Sequence, residues 1–231
     1  MTILRLLSGG AAQGLVAALA PGFEAETGCR LEGEFGAVGA MAAKLRAGGP
    51  ADLLILTAAL IAELEREGHA VSGSAADVGV VQTAVAVRAG DQAPPVADAE
   101  DLRTALLAAD EIYFPDPQQA TAGIHFAKVL RSLGVWEEPG SRLKAFPNGA
   151  AAMRALAAST GARPIGCTQA TEILGTPGVA LAGPLPPGCG LATTYTAAVC
   201  ARASLPEQAS RFVALLTAAS SRESRRRAGF L

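Results

Sequence analysis

The order of strand-like and helix-like segments predicts an α/β protein of two lobes, with mostly parallel sheets and two strands that cross between the lobes. Three observations carry that expectation. A β-α-β-α-β-α alternation runs from Ile3 to Glu67. Within it, Leu53-Leu54-Ile55-Leu56 is continuously apolar, as a parallel strand covered on both faces must be. Two long strand candidates, Val78–Val87 and Thr193–Ala201, flank a second block of βα units.

Each element follows from local pattern. Ile3–Leu7 is a short apolar strand, and from Ala11 to about Glu26 the apolar positions Leu15, Val16, Leu19 and Phe23 recur at helical spacing until Gly28 stops the helix. Arg30–Phe35 alternates as a half-buried strand; Gly36-Ala37-Val38-Gly39 reads as a loop and Ala40–Ala47 as a helix closed by Gly48-Gly49-Pro50. Ala58–Glu67 is helical, and after Val78–Val87 a linker around Pro94-Pro95 leads into the second block. That block contains a helix at Glu100–Ala108, a strand at Glu111–Phe114, a helix at Ala122–Leu133 and a helix at Asn148–Ala158. Strands at Arg163–Thr168 and Val179–Leu181 follow, then the breaker Gly183–Gly188 and the strand Thr193–Ala201. A long terminal helix is expected after Ser204-Leu205-Pro206-Glu207, with Ser204 as its N-cap and proline in the first turn. These elements divide the chain into one lobe of residues 1–82 and 192–231 and another of residues 83–191. The ligand is expected in the interlobe cleft, because open α/β sheets bind at the carboxyl ends of their strands.

Composition excludes several classes. At 231 residues, 50% hydrophobic and 17% charged, the chain has ample material for a packed core, and a net charge of −2 supplies no basic field for nucleic acid. The one dense cationic run, Arg225-Arg226-Arg227, ends the last helix, where cations complement the helix dipole. Cys29, Cys167, Cys189 and Cys200 form no C-x-x-C pair, and His69 and His125 no H-E-x-x-H spacing, so no metal and no cofactor are expected. MTILRLLSGG lacks a basic n-region, an h-region and a cleavage site. No run approaches the ~18–20 apolar residues of a membrane span, so no membrane insertion is expected. A cytoplasmic location is expected if Met1 is the natural start, and a periplasmic one if a signal peptide was removed.

The strand ends carry the chemistry. Ser8-Gly9-Gly10, Gly36-Ala37-Val38-Gly39, Gln118–Gly123, Asn148-Gly149 and Cys167-Thr168-Gln169 are small, neutral and mostly helix-initiating, without lysine or arginine. Small residues let a ligand reach the backbone, whose free N–H groups and helix dipole favour negative charge. Several such ends would hold a small anion without a cationic side chain. Nucleotide cradles are not supported: Gly9-Gly10 with Gly14 does not fit G-x-G-x-x-G, and there is no G-x-x-x-x-G-K-[ST]. Ser8 and His125 could be drawn into a triad, but no G-x-S-x-G elbow accompanies them.

These segments together resemble the molybdate-binding proteins of ABC transporters, within the type II periplasmic-binding-protein fold, over essentially the whole chain. Ala47-Gly48-Gly49-Pro50-Ala51-Asp52-Leu53 is similar to that family's AGAPADLF segment, and Lys128 with Leu133-Gly134-Val135-Trp136 to its KLGxW stretch. Asp116-Pro117 with Ala122-Gly123-Ile124, Pro164-Ile165-Gly166 and Ala228-Gly229-Phe230 match in order and spacing. The resemblance implies two lobes closing on a small anion, with an ABC permease as partner only if the protein is exported.

The ligand residues depart from the pattern. The family's two oxyanion-facing serines fall on Gly10 and about Val38, and its tyrosine on Gln169, whereas Ala122 keeps a backbone donor and Asn148-Gly149-Ala150 lies near another. Losing two such hydroxyls costs about 1.5–3 kcal/mol each. The expected ligand is therefore an organic acid, a carboxylate or polycarboxylate, rather than molybdate. Ser8, Thr121, Asn148, Thr168 and Gln169 are the expected side-chain partners, with backbone donors at Gly9, Gly10, Val38, Gly39 and Ala122.

Two further readings stay open. One is a cytoplasmic, cofactor-independent isomerase on the same scaffold, moving a proton next to a carboxylate or carbonyl. His125 is then the expected base, and Ser8, Thr121 and Cys167 are other proton carriers. The other is a sensor that signals ligand closure to a partner. The residues do not specify an oligomeric state.

Overall fold

The computed structural model describes residues 2–136 and 142–231. The chain forms two compact units, residues 1–81 with 193–231 and residues 82–192.

In the first unit, β1 (Thr2–Gly9) runs through a 3-10 turn at Gly10–Ala12 into α1 (Gln13–Thr27). Gly28 ends that helix at φ 66°, a left-handed conformation that only glycine adopts freely. Next come β2 (Cys29–Gly36), α2 (Val38–Arg46), β3 (Leu53–Thr57), α3 (Ala58–Arg66) and the first half of β4 (Ala76–Arg88). The second unit takes the rest of β4, then α4 (Ala99–Ala108), β5 (Glu111–Pro115), α5 (Thr121–Ser132), β6 (Leu143–Phe146) and α6 (Gly149–Ala157). It continues with β7 (Pro164–Gln169), α7 (Ala170–Leu174) and β8 (Val179–Pro184). β9 (Ala192–Val199) leads back to the first unit, which ends with α8 (Pro206–Thr217) and α9 (Arg222–Arg227).

The strand order of the first unit is β2-β1-β3-β9, the first three parallel and β9 antiparallel to β3. Leu53–Leu56 are wholly buried, as the unbroken apolar run requires. In the second unit β7 lies between β4 and β5, β6 pairs with β5, and β8 pairs with β4. Its sheet has a core on each face. Val85, Ile165 and Cys167 pack with Phe114 and Phe126 on one side. Ala84, Ala86 and Tyr113 pack with Met153 and Leu156 on the other.

Four expectations are corrected. The expected loop at 36–39 is half helix, because α2 already starts at Val38. β6 and α7 were not anticipated: four half-exposed residues on a sheet edge and a five-residue helix are too short to show a period. The long terminal helix is broken: α8 stops at Thr217, a 3-10 turn follows at Ala219–Ser221, and α9 is separate. Arg225 fixes that break by donating from Nη1 to the Leu216 and Ala218 carbonyls at 2.7 and 2.9 Å, at the C-terminal end of α8.

The fourth correction concerns Ser204, which does not cap α8; the N-cap is Leu205. The Ser204 N–H and hydroxyl donate instead to Asp52 Oδ1 at 2.7 and 2.8 Å, with Leu205 N–H at 3.1 Å. Arg5 N–H donates to the other oxygen at 2.8 Å. Asp52, 2% exposed, thus ties β1, the start of β3 and the approach to α8 through one carboxylate. Burial alone would raise its pKa, but these four donors outweigh burial and hold it below the ordinary carboxylate range.

A depressed pKa adds stability above the unfolded value, about 3.9, that is lost as pH falls through the folded one. Asp52→Asn is expected to lower unfolding free energy by about 2–3 kcal/mol at neutral pH. Urea titrations of both proteins should show that gap narrowing below about pH 4; a gap independent of pH would refute the assignment.

Candidate functional site

In each unit the parallel strands end at one edge of the sheet, and the helices that follow start there. In the second unit that edge collects the ends of β5 and β7, the start of α5 and the start of α6. The two helix starts are in opposite states. Asn148 caps α6, its Oδ1 accepting from Ala151 N–H at 2.9 Å. Gly149 and Ala150 N–H donate to the carboxylate of Glu172 on α7, which also accepts from Gln169 N–H. Thr168 completes the set, its hydroxyl donating to Glu172 Oε2 at 2.5 Å. Gly149 has no substitute there, since any Cβ would overlap Glu172 Oε2 and Thr168 Oγ1. The anion at the head of α6 is the protein's own.

α5 is different. Its N-cap is Ala120, which has no side-chain acceptor, so the first N–H groups, at Thr121, Ala122 and Gly123, have no side-chain cap among the described residues, and the Pro115 and Asp116 carbonyls pack closely against Gly123. Asp116 in the preceding loop turns inward on that loop, its Oδ1 accepting from Gln118 and Gln119 N–H at 2.7 and 3.0 Å. One turn along, His125 Nε2 lies 2.7 Å from the Cys189 carbonyl. A carbonyl can only accept, so Nε2 carries the hydrogen, and in the neutral tautomer Nδ1 is the ring nitrogen with the lone pair. Cys167 is buried to the point that its thiol pKa is pushed well up, so it is no thiolate nucleophile.

Gln169 ends β7 at the same edge. It is 2% exposed, and neither Oε1 nor Nε2 has a hydrogen-bond partner among the described residues. The Thr83 hydroxyl of β4 is equally buried and unpartnered, and Thr83 stands opposite Gln169 in the sheet register. The cavity of about 570 Å³ in this unit, lined by Val87, Pro94, Pro95, Arg163 and Ile165, lies elsewhere, at the edge where β7 begins.

In the first unit the ends of β1, β2 and β3 lead into three helix starts, at Gly10, Val38 and Ala58, whose N-cap residues Gly9, Ala37 and Thr57 make no side-chain cap. Ser8 is wholly buried and donates to the Gly9 carbonyl at 2.9 Å. A Cβ on Gly9 would come within 2.8 Å of Val38 Cγ1 and 2.9 Å of the Tyr195 ring, so Val38 and Tyr195 close on the backbone of Gly9. Gly39 follows Val38 in the first turn of α2.

Residues 4–231 match the family described as bacterial extracellular solute-binding protein. The chain belongs to that family. Its fold is the type II periplasmic-binding fold: the periplasmic molybdate-binding protein of Azotobacter vinelandii superposes with a TM-score of 0.81 at 18% identity, over 99% of this chain and 98% of that one. The sulfate-binding protein of Mycobacterium tuberculosis superposes with a TM-score of 0.79 at 18% identity, over 100% and 86%. Among curated proteins, an aconitate isomerase of a Pseudomonas species is 24% identical over 218 residues, 90% of this chain and 80% of that protein.

Of the residues the sequence singles out, Thr121, Ala122, His125, Asn148, Thr168 and Gln169 belong to the second unit and Ser8, Gly9, Gly10, Val38 and Gly39 to the first. Asn148 and Thr168 are engaged with α6 and Glu172, and the Ser8 hydroxyl with its neighbour. Sequence reasoning missed Thr83 and Glu172. A lone threonine in Val80–Val87 and an acid three residues past a strand end were the available signals.

Burial pushes the Glu172 pKa up, and its four donors oppose the shift without cancelling it. The contribution of Glu172 to stability is therefore fullest below the ordinary carboxyl pKa of about 4.3 and shrinks as pH rises toward the folded value. Glu172→Ala strands the N–H groups of Gly149, Ala150 and Gln169 and is expected to cost about 3 kcal/mol, whereas Glu172→Gln should cost about 1 kcal/mol or less. Urea unfolding between pH 4 and 8 should show the wild type losing ground to Glu172→Gln as pH rises; the opposite slope would refute it.

Proposed function

We propose that the protein binds a small organic acid bearing one or more carboxylates, rather than molybdate. The observation that carries this reading is the chemistry at Gly10 and Val38. At the two positions where the resemblance places oxyanion-facing hydroxyls there is no hydroxyl, and Val38 is instead a buried apolar side chain against Gly9. What remains for an anion is neutral: the uncapped starts of α2 and α5. The likeness to an aconitate isomerase, a protein named for a tricarboxylate, supports the same ligand class. In a transport role the protein would work outside the cytoplasm and deliver its ligand to an ABC permease.

A thermal-shift screen of molybdate, tungstate and sulfate against succinate, malate, citrate and aconitate tests the ligand class. A ligand at a hundredfold its Kd stabilises by about 2.7 kcal/mol. For a chain of this size that is roughly 5–10 °C in Tm. That rise is expected with at least one carboxylate and none of the oxyanions. A rise with molybdate and none with the acids would overturn the proposal.

The same relative favours a second reading, an isomerase that moves a proton next to a carboxylate. His125 is its best-placed base, since the Cys189 carbonyl fixes the tautomer that leaves Nδ1 unprotonated. Proton NMR of cis- or trans-aconitate in D2O should then show isomerisation with deuterium uptake, abolished by His125→Ala in a protein that still melts cooperatively. No exchange beyond the uncatalysed rate would leave binding as the function.

A further inference from the structure

We infer that the ligand carries a hydroxyl as well as carboxylate, and that Thr83 and Gln169 are the residues that select for it. The inference rests on the carboxylate reading above and specifies it.

The backbones of both residues are satisfied. Thr83 N–H donates to the Leu191 carbonyl at 2.9 Å and its carbonyl accepts from Leu185 N–H at 3.0 Å, while Gln169 N–H donates to Glu172. Their side chains are not. The Gln169 amide and the Thr83 hydroxyl are at most 2% exposed and have no partner among the described residues. Native proteins seldom leave such groups unpaired, and an exception calls for a specific reason.

Sheet geometry gives the reason a place. Thr83 and Gln169 are directly paired in register, so their side chains project from the same face as neighbours. Side chains alternate along a strand. Gln169 therefore shares the face of Ile165 and Cys167, and Thr83 the face of Val85. Those three residues pack in the cluster that holds Phe126 and Val129 of α5, so this is the α5 face of the sheet. Along β7, Gln169 is the last residue, beyond Cys167, at the edge where α5 begins. The unpaired amide and hydroxyl thus sit on the face and at the edge where the first N–H groups of α5 lack a side-chain cap. Two independent features mark one ligand position within the second unit.

The donor and acceptor inventory then restricts the ligand. Backbone N–H groups of α5, Gln169 Nε2 and the Thr83 O–H all donate, and a carboxylate or an inorganic oxyanion satisfies them. Gln169 Oε1 only accepts. A fully ionised oxyanion has no hydrogen to give it. An alcohol does: it can donate to Oε1 while accepting from Nε2 or Thr83. A hydroxycarboxylate satisfies the whole set, whereas the same acid without its hydroxyl leaves Oε1 unpaired, because the Thr83 hydroxyl makes no hydrogen bond to it in this structure.

Titration calorimetry with matched pairs tests this: malate against succinate, and citrate against tricarballylate, in the wild type and in Thr83→Val and Gln169→Met, both close to isosteric. The wild type is expected to prefer the hydroxy acid of at least one pair by about tenfold or more, as removal of a ligand group from a buried polar partner does. In both variants that ratio should fall to about one, a change that a purely structural role would not produce. Neither variant should melt below the wild type, because each removes a buried unpaired group. Should Gln169→Met fail to fold, Thr83→Val and the wild-type ratio still decide. Equal affinity for both members of each pair, or a preference that survives in the variants, overturns this inference and leaves the carboxylate reading standing. Binding of molybdate with no binding of any of the four acids, or no binding at all, overturns both.

Discussion

Glu172 is the interaction on which the second unit's chemistry depends. A carboxylate buried where α6, α7 and the end of β7 meet accepts from Thr168 and from the N–H groups of Gly149, Ala150 and Gln169. It does two things together. It locks α7 to the start of α6, a contact close enough that residue 149 must be glycine. It also uses up the anion-binding capacity of α6, since Asn148 and Glu172 between them take the first-turn donors. The start of α5, by contrast, has no side-chain cap among the described residues. A buried acid that looks purely structural therefore determines which of two similar helix starts can be functional.

The first unit uses a carboxylate in a related way, with the opposite electrostatic balance. Asp52 also gathers four donors, but there they outweigh burial, and its pKa falls where that of Glu172 rises. The difference lies in the weight of burial, which exceeds the opposing donors at Glu172 and does not at Asp52. Asp52 Oδ1 alone receives three donors around the Ser204-Leu205 turn, and Arg5 takes Oδ2. Asp52 sits at the start of β3, so it organises the edge of the sheet opposite the strand ends where Gly9, Val38 and Tyr195 meet. The Asp52 tie and the uncapped helix starts thus lie at different edges of that unit. In the second unit, the Glu172 tie lies at the same edge as the uncapped start of α5.

How much of this the sequence disclosed depended on the range of the signal. The βα order was legible because each strand and helix is coded by its own neighbours: Leu53–Leu56 must be buried on both faces, and Gly28 must end a helix. The strand ends were legible for the same reason, and all the residues singled out there sit at or beside strand ends or helix starts. Pairings were not. Whether Thr168 faces a ligand or Glu172 depends on where α7 lies, and α7 is too short to announce itself. Thr83 became visible only through its register with Gln169, a contact across 86 residues of chain that no local pattern encodes. Ser204 reads as a helix cap by every local rule; a partner 152 residues away takes its donors instead.

The neutrality of the site has a physical consequence of its own. Four of the arginines are used for structure elsewhere: Arg46 on Glu63 and Glu67, Arg88 on Asp91, Arg142 on the last carbonyls of α4, and Arg225 on those of α8. On the proposed reading, an anion at the start of α5 would meet N–H dipoles and an amide rather than a formal positive charge. Dipoles act over a short range and only in the right orientation, whereas a guanidinium attracts any anion from a distance. Such a site gains little from ligand charge and much from the match between each donor, each acceptor and the group presented to it. On the inference drawn above, the unpaired carbonyl of Gln169 would matter more to selectivity than another positive charge, because it would penalise a ligand for being only an anion.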